Sequence, residues 1–197
     1  MIRIMTFFAA IAMLASCSPT PEKTVTPEAA SPNNVAVETV DANTVYLDTK
    51  DGRITIELRP DLAPKHVDQV KTLVKQGFYD GIVFHRVIDG FMAQTGDPTG
   101  TGTGGSDLPD IPAEFSKEPF KRGTVGMARS QNPNSANSQF FIMFGPGEFL
   151  NGQYTVLGQV TDGMNVVDAI KKGDSAANGK VTDPDKIVKM QMASDAS

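Results

Sequence analysis

Between Thr44 and about Met192 the chain is cut by glycine and proline into short runs, and only two of them have helical periodicity. Runs that short and rich in Val, Ile, Thr and Phe read as strands, and strands that short need many neighbours to bury a face. Residues 44–49 and 53–58 alternate around Lys50-Asp51-Gly52, which predicts a hairpin. Further strands are expected near 83–87, 92–95, 124–128, 139–143, 155–160 and 187–192. Over 63–76, Val67, Val70 and Val74 share a helical face, with Pro64 near the start and Gly77 after the end. A shorter helix is expected over 166–171, with Gly173 after it. The pattern predicts a mainly β domain whose antiparallel sheet is closed or nearly closed, with helices at its ends.

The segment before this domain has a different texture. The chain opens MIRIMTFFAAIAMLASC, where Arg3 and the apolar run to Ala15 have the layout of a secretory signal peptide. The run is shorter than the roughly 20 apolar residues a membrane-spanning helix takes. Leu14-Ala15-Ser16-Cys17 resembles the lipobox of bacterial lipoproteins, in which the signal is removed before a cysteine that is then acylated. Cys17 is the only cysteine, so no disulfide can form within the chain. Residues 18–43 are rich in proline and small polar residues, lack aromatic side chains and read as a tether. The expected organisation is a signal peptide over 1–16, a lipidated Cys17 heading a tether to residue 43, a domain over 44–192 and a tail over 193–197. Ser18, standing where aspartate often retains lipoproteins in the inner membrane, points to the outer membrane facing the periplasm. A formal charge of −5 with no basic block gives no electrostatic case for nucleic acid.

Several chemistries find little support. His66 and His85, with no thiol beyond Cys17, do not make a metal site. Residues 100–105 (GTGTGG) lack the Gly-Lys-Ser/Thr ending of a phosphate loop and read as a tight surface turn. No Gly-x-Ser-x-Gly elbow is present, and Ser130, Ser135 and Ser138 are expected to bond to backbone. What stands out is FHRVIDGFMAQTGD at 84–97, where Arg86 sits among apolar side chains with no carboxylate beside it in sequence. A guanidinium does not give up its charge, so burying it without a partner is costly.

The run Phe84-His85-Arg86, Gly90-Phe91-Met92-Ala93-Gln94 and Gly96-Asp97 resembles the central motif of the cyclophilins, the peptidyl-prolyl cis-trans isomerases. Gly102-Thr103-Gly104-Gly105, Gly126-Met127-Ala128, Ser138-Gln139-Phe140-Phe141-Ile142, Leu150-Asn151-Gly152 and Val156-Leu157-Gly158-Gln159-Val160 follow in that family's order, and the likeness covers essentially all of 44–192. It implies a closed eight-stranded antiparallel β-barrel capped by two α-helices. It implies Arg86, Gln94, Phe91 and Phe141 as the catalytic set. Met92 and Leu150 would complete the proline pocket, Ala128 and the backbone of Arg129 would pair with the peptide, and His85 and Gln139 would support the site. No cofactor and no metal are implied. The partners would be proline-containing peptides and folding proteins, with the chain a monomer. Phe149 stands where many eukaryotic relatives carry a tryptophan whose indole donates to cyclosporin, so weak cyclosporin binding is expected. Tyr154 replaces a common histidine, Arg129 a common asparagine, and the loop over 130–137 is one residue longer than usual. These changes bear on the preference for the residue before proline. The expected function is X-Pro isomerisation during folding of envelope proteins. The alternatives are a peptide-binding chaperone module with incidental isomerase activity and a structural lipoprotein.

Overall fold

The computed structural model of the protein describes residues 42–196, so the expected signal peptide and Cys17 lie outside the described residues. The first hairpin pairs β1 (Thr44–Thr49) with β2 (Gly52–Leu58) in register from Thr44–Glu57 to Thr49–Gly52. Its turn is Lys50-Asp51, because Gly52 opens β2 at φ 136°. A side chain at Gly52 would also press on Val166, 3.1 Å from the Cβ position. The strands that follow are β3 (Arg86–Ile88), β4 (Met92–Thr95), β5 (Thr124–Met127), β6 (Phe140–Met143), β7 (Val156–Asp162) and β8 (Lys189–Met192).

All ladders are antiparallel, in the order β3-β4-β6-β5-β7-β2-β1-β8. The sheet curls but does not close as the expected barrel, since β3 and β8 end the order and do not pair. Single contacts span the gap: Gly81 N–H donates to Ile187 O at 2.8 Å, Ile187 N–H to Ile82 O at 2.9 Å and Phe84 N–H to Asp185 O at 2.9 Å. The reason is local. The chain reaching β8 turns through left-handed residues at Asn178 (φ 55°), Gly179 (φ 80°) and Asp183 (φ 53°), so it offers isolated bridges and no continuous ladder.

Helix α1 (Pro64–Lys75) buries Val67, Val70, Leu73 and Val74, the face its spacing predicts. Ala63 cannot cap it, and Glu114 supplies the acceptors from a distant loop, taking the N–H groups of Lys65 (3.3 Å) and His66 (3.2 Å). Helix α2 (Met164–Ala169) begins and ends about two residues before its expected position. Gly163, at φ 86°, makes the turn into it.

Strand alternation sorts the buried side chains into two clusters. Val125, Met127, Phe140, Ile142 and Ala93 face the interior with α1 and α2. Phe141, Met143 and Met92 face the other way, joining Phe120, Leu150 and Val156. Strand β6 is therefore buried on both faces, and the second cluster forms the floor of a site outside the main core.

Candidate active site

The site is a row across the sheet. Arg86 on β3 lies opposite Gln94 on β4, Gln94 opposite Phe141 on β6, and Phe141 opposite Gly126 on β5. Residues paired in this way share a face, so charge, amide and ring are aligned by register alone. Gly126 fits this row because a Cβ there would lie 2.5 Å from the Phe141 ring. Phe120 stacks behind Phe141 with centroids 5.8 Å apart, and Tyr154 meets its edge at 5.9 Å.

Around this floor is a cavity of about 300 Å³ lined by Arg86, Phe91, Met92, Gln94, Ala128, Arg129, Phe141, Phe149 and Tyr154. Phe149, 69% exposed, forms the rim, its ring 5.4 Å from that of Phe91. Leu150 is buried within the floor cluster instead of lining the cavity. His85 and Gln139 do not reach it either. His85 is buried against Gly102, with neither ring nitrogen bonded, and burial lowers its pKa below the usual value.

Arg86 has no ion pair among the described residues. Its Nη1 donates to Gln94 Oε1 at 3.3 Å, its Nε to Asn178 O at 3.1 Å and its Nη2 to Asn178 Oδ1 at 3.0 Å. Burial pulls its pKa down, with Tyr154 opposing, yet an arginine stays charged. The amides have a determined orientation. Gln139 Nε2 donates to the carbonyls of Gly104 (2.8 Å) and Gly102 (3.2 Å), so Gln139 Oε1 faces Gln94 and accepts from its Nε2 at 2.8 Å. That leaves Gln94 Oε1 for Arg86.

The glycine turn at the head of this relay is not a loose surface loop. It wraps the buried carboxylate of Asp97, which accepts from Thr99 N–H and Thr99 Oγ1, both at 2.8 Å, and from Gly102 N–H at 2.5 Å. Burial works to raise the Asp97 pKa, but the Thr99 hydroxyl and the turn's N–H groups hold it down to about 2.

Arg129 lies between two spaces. Its guanidinium stacks on Tyr154 at 4.4 Å and donates to Ser130 O and Gln153 O, both at 2.9 Å. It also borders a polar cavity of about 580 Å³ along the glycine turn, with Asp110, Ser135 and Asn137. Ala128 spends its N–H on Gln139 O at 2.9 Å. Ser138 donates to Gly96 O at 2.7 Å, a backbone role as expected.

Two contributors escape the sequence reading. Phe120 carried no motif. Asn178 lies 92 residues from Arg86, and its one local sign is the Asn-Gly dipeptide, which marks a turn but not what the turn touches.

The model of the family described as cyclophilin type peptidyl-prolyl cis-trans isomerase/CLD matches residues 44–192. A protein of Brucella suis biovar 1 named "Probable peptidyl-prolyl cis-trans isomerase" is 63% identical over 175 residues, covering 81% of this chain and 89% of its own. The structure of cyclophilin AquaCyp293 from Hirschia baltica superposes with a TM-score of 0.71 at 30% identity, over 80% of this chain and 77% of that one. A Cryptosporidium parvum cyclophilin-type isomerase, crystallised in the presence of the dipeptide Ala-Pro, gives a TM-score of 0.69 at 32% identity, over 76% of this chain and 98% of its own.

Proposed function

The chain belongs to the cyclophilin-type peptidyl-prolyl cis-trans isomerases, and from that premise we propose how its own residues accelerate the reaction. The observation that carries the proposal is Arg86, held by neutral acceptors at the wall of a cavity whose floor is an apolar cluster of Met92, Phe120 and Phe141. Rotation about a peptide bond is opposed by about 18–20 kcal/mol, because the nitrogen lone pair is delocalised into the carbonyl. No bond has to break. Met92, Phe141 and Phe91 receive the proline ring and exclude water. As the amide twists, the lone pair localises on the proline nitrogen. The Arg86 guanidinium donates to it, favouring the twisted state over either planar one. Low local dielectric makes this charge count for more than it would in water. Gln94 orients Arg86 and bonds the substrate backbone, while Arg129 and Ala128 hold the flanking chain.

The proposal extends to where the reaction takes place. A lipid on Cys17 anchors the domain to the periplasmic face of a bacterial outer membrane, where proteins folding in the envelope are its substrates. Cyclosporin binds weakly, since Phe149 has no donor.

The test is exchange of an Ala-Pro peptide, followed by NMR. Arg86→Ala is expected to lower kcat by roughly 10²–10³ while the domain stays folded. A folded Arg86→Ala protein with wild-type kcat would rule the mechanism out.

A further inference from the structure

The outer edge of β3, which in a closed barrel would pair with a strand, is instead occupied by loop 173–181. Val87 N–H donates to Gly179 O at 2.8 Å, Gly173 N–H to Val87 O at 2.9 Å and Val181 N–H to His85 O at 3.2 Å. The loop holds its own shape: Gly179 N–H donates to Asp174 O at 2.8 Å and Ala176 N–H to Asp174 Oδ1 at 2.9 Å. Gly179 carries φ 80°, and a side chain there would overlap Ile88. The loop is therefore fixed against β3 at the position of Arg86.

What it presents there is Asn178 in the left-handed conformation, φ 55°, which asparagine enters more readily than most residues. Its main-chain carbonyl takes Arg86 Nε and its side-chain carbonyl takes Nη2. A two-point grip on an arginine fork is ordinarily given by a carboxylate. Here two neutral oxygens of one residue provide it, so the guanidinium is oriented without its charge being cancelled. With that edge engaged, Nη1 is turned towards Gln94, the side of the cavity.

We infer that Asn178 is a positioning residue for the isomerase reaction, holding the plane of the Arg86 guanidinium while leaving its charge uncompensated. This rests on the electrostatic role given to Arg86 above.

The experiment measures kcat and KM for the Ala-Pro peptide with the full chain. Wild type is compared with Arg86→Ala, Asn178→Gly, the double variant Arg86→Ala/Asn178→Gly, and Asn178→Asp. Asn178 is exposed and glycine accepts its φ, so Asn178→Gly keeps the loop and the main-chain acceptor and removes Oδ1 alone. Its kcat is expected to fall roughly ten- to a hundredfold with KM near wild type, and the double variant is expected to be no slower than Arg86→Ala. Asn178→Asp keeps both acceptors but adds a negative charge, and its kcat is expected to fall as well. Wild-type kcat in Asn178→Gly, or a further loss in the double variant beyond Arg86→Ala, would overturn the positioning role. Wild-type kcat in Asn178→Asp would overturn the need for neutral acceptors. If Arg86→Ala itself turned over at the wild-type rate, the electrostatic mechanism would fall first and this inference with it. An impaired Arg86→Ala beside an intact Asn178→Gly would strike the inference alone.

Discussion

At the scale of the residue, the chemistry of the site follows from what surrounds each group. Arg86 meets three neutral oxygens, so its charge is directed and not neutralised. Phe149 packs on Phe91 at the rim but has no donor. Replacing it by tryptophan is expected to strengthen cyclosporin binding about fivefold, the worth of one added hydrogen bond of about 1 kcal/mol. The chain has no tryptophan of its own, so the new indole's fluorescence would report the binding directly. Unchanged affinity would mean that the rim does not reach the ligand. Arg86 and Gln94 stand in one dense motif and Phe141 in another, which made their shared place at the cavity legible from sequence. Asn178 stayed hidden, because a contact across 92 residues leaves no periodicity to read.

At the scale of the element, helix α1 is tied to its neighbour by His66, which is fully buried and shares a 2.7 Å bond with Glu114. Burial lowers the His66 pKa below 6.5, outweighing Glu114, which raises it, and Lys65 adds a small lowering. The unfolded chain regains the ordinary value. As pH falls through 6.5 the unfolded state takes up a proton that the folded state resists, and stability declines; His85 adds the same sign. Glu114 is also held below its ordinary 4.5 and extends the loss to lower pH. The midpoint of thermal unfolding is expected to drop between pH 7 and pH 5.5, as stability falls with a slope of at most about 1.4 kcal/mol per pH unit for each histidine. His66→Phe should make that slope shallower, and a flat midpoint in the wild type would contradict the account. Of the elements themselves, β1 and α1 were legible because their alternation or spacing is uninterrupted. The hairpin turn is one residue shorter than expected because Gly52 opens β2, and α2 begins earlier because Gly163 makes the turn into it.

At the scale of the whole molecule, the two faces of the sheet carry separate clusters, and on the proposed mechanism this separates stability from catalysis. Ile142 faces the inner cluster and its neighbour Phe141 the site. Ile142→Ala should cost about 2–5 kcal/mol of stability and leave kcat unaltered well below the melting temperature. Phe141→Ala should raise KM and lower kcat. Equal kinetic damage from both, measured by the same peptide exchange, would show that the two faces are coupled. Eight short strands announced a curled antiparallel sheet, but whether it closed was decided by left-handed turns in the loop that lies along the β3 edge and leads into β8, which strand patterning does not encode. The pairing at the open end carries a mechanical consequence. Val45 lies opposite Met192 in an antiparallel ladder that continues inward to Asp48–Lys189. The leading end of β1 and the trailing end of β8 thus leave the sheet at the same corner. A load applied across them would peel that ladder open one bond after another instead of shearing all its bonds at once. Under tension the fold would yield first at that seam, while the row that holds Arg86, at the other end of the sheet order, was still intact.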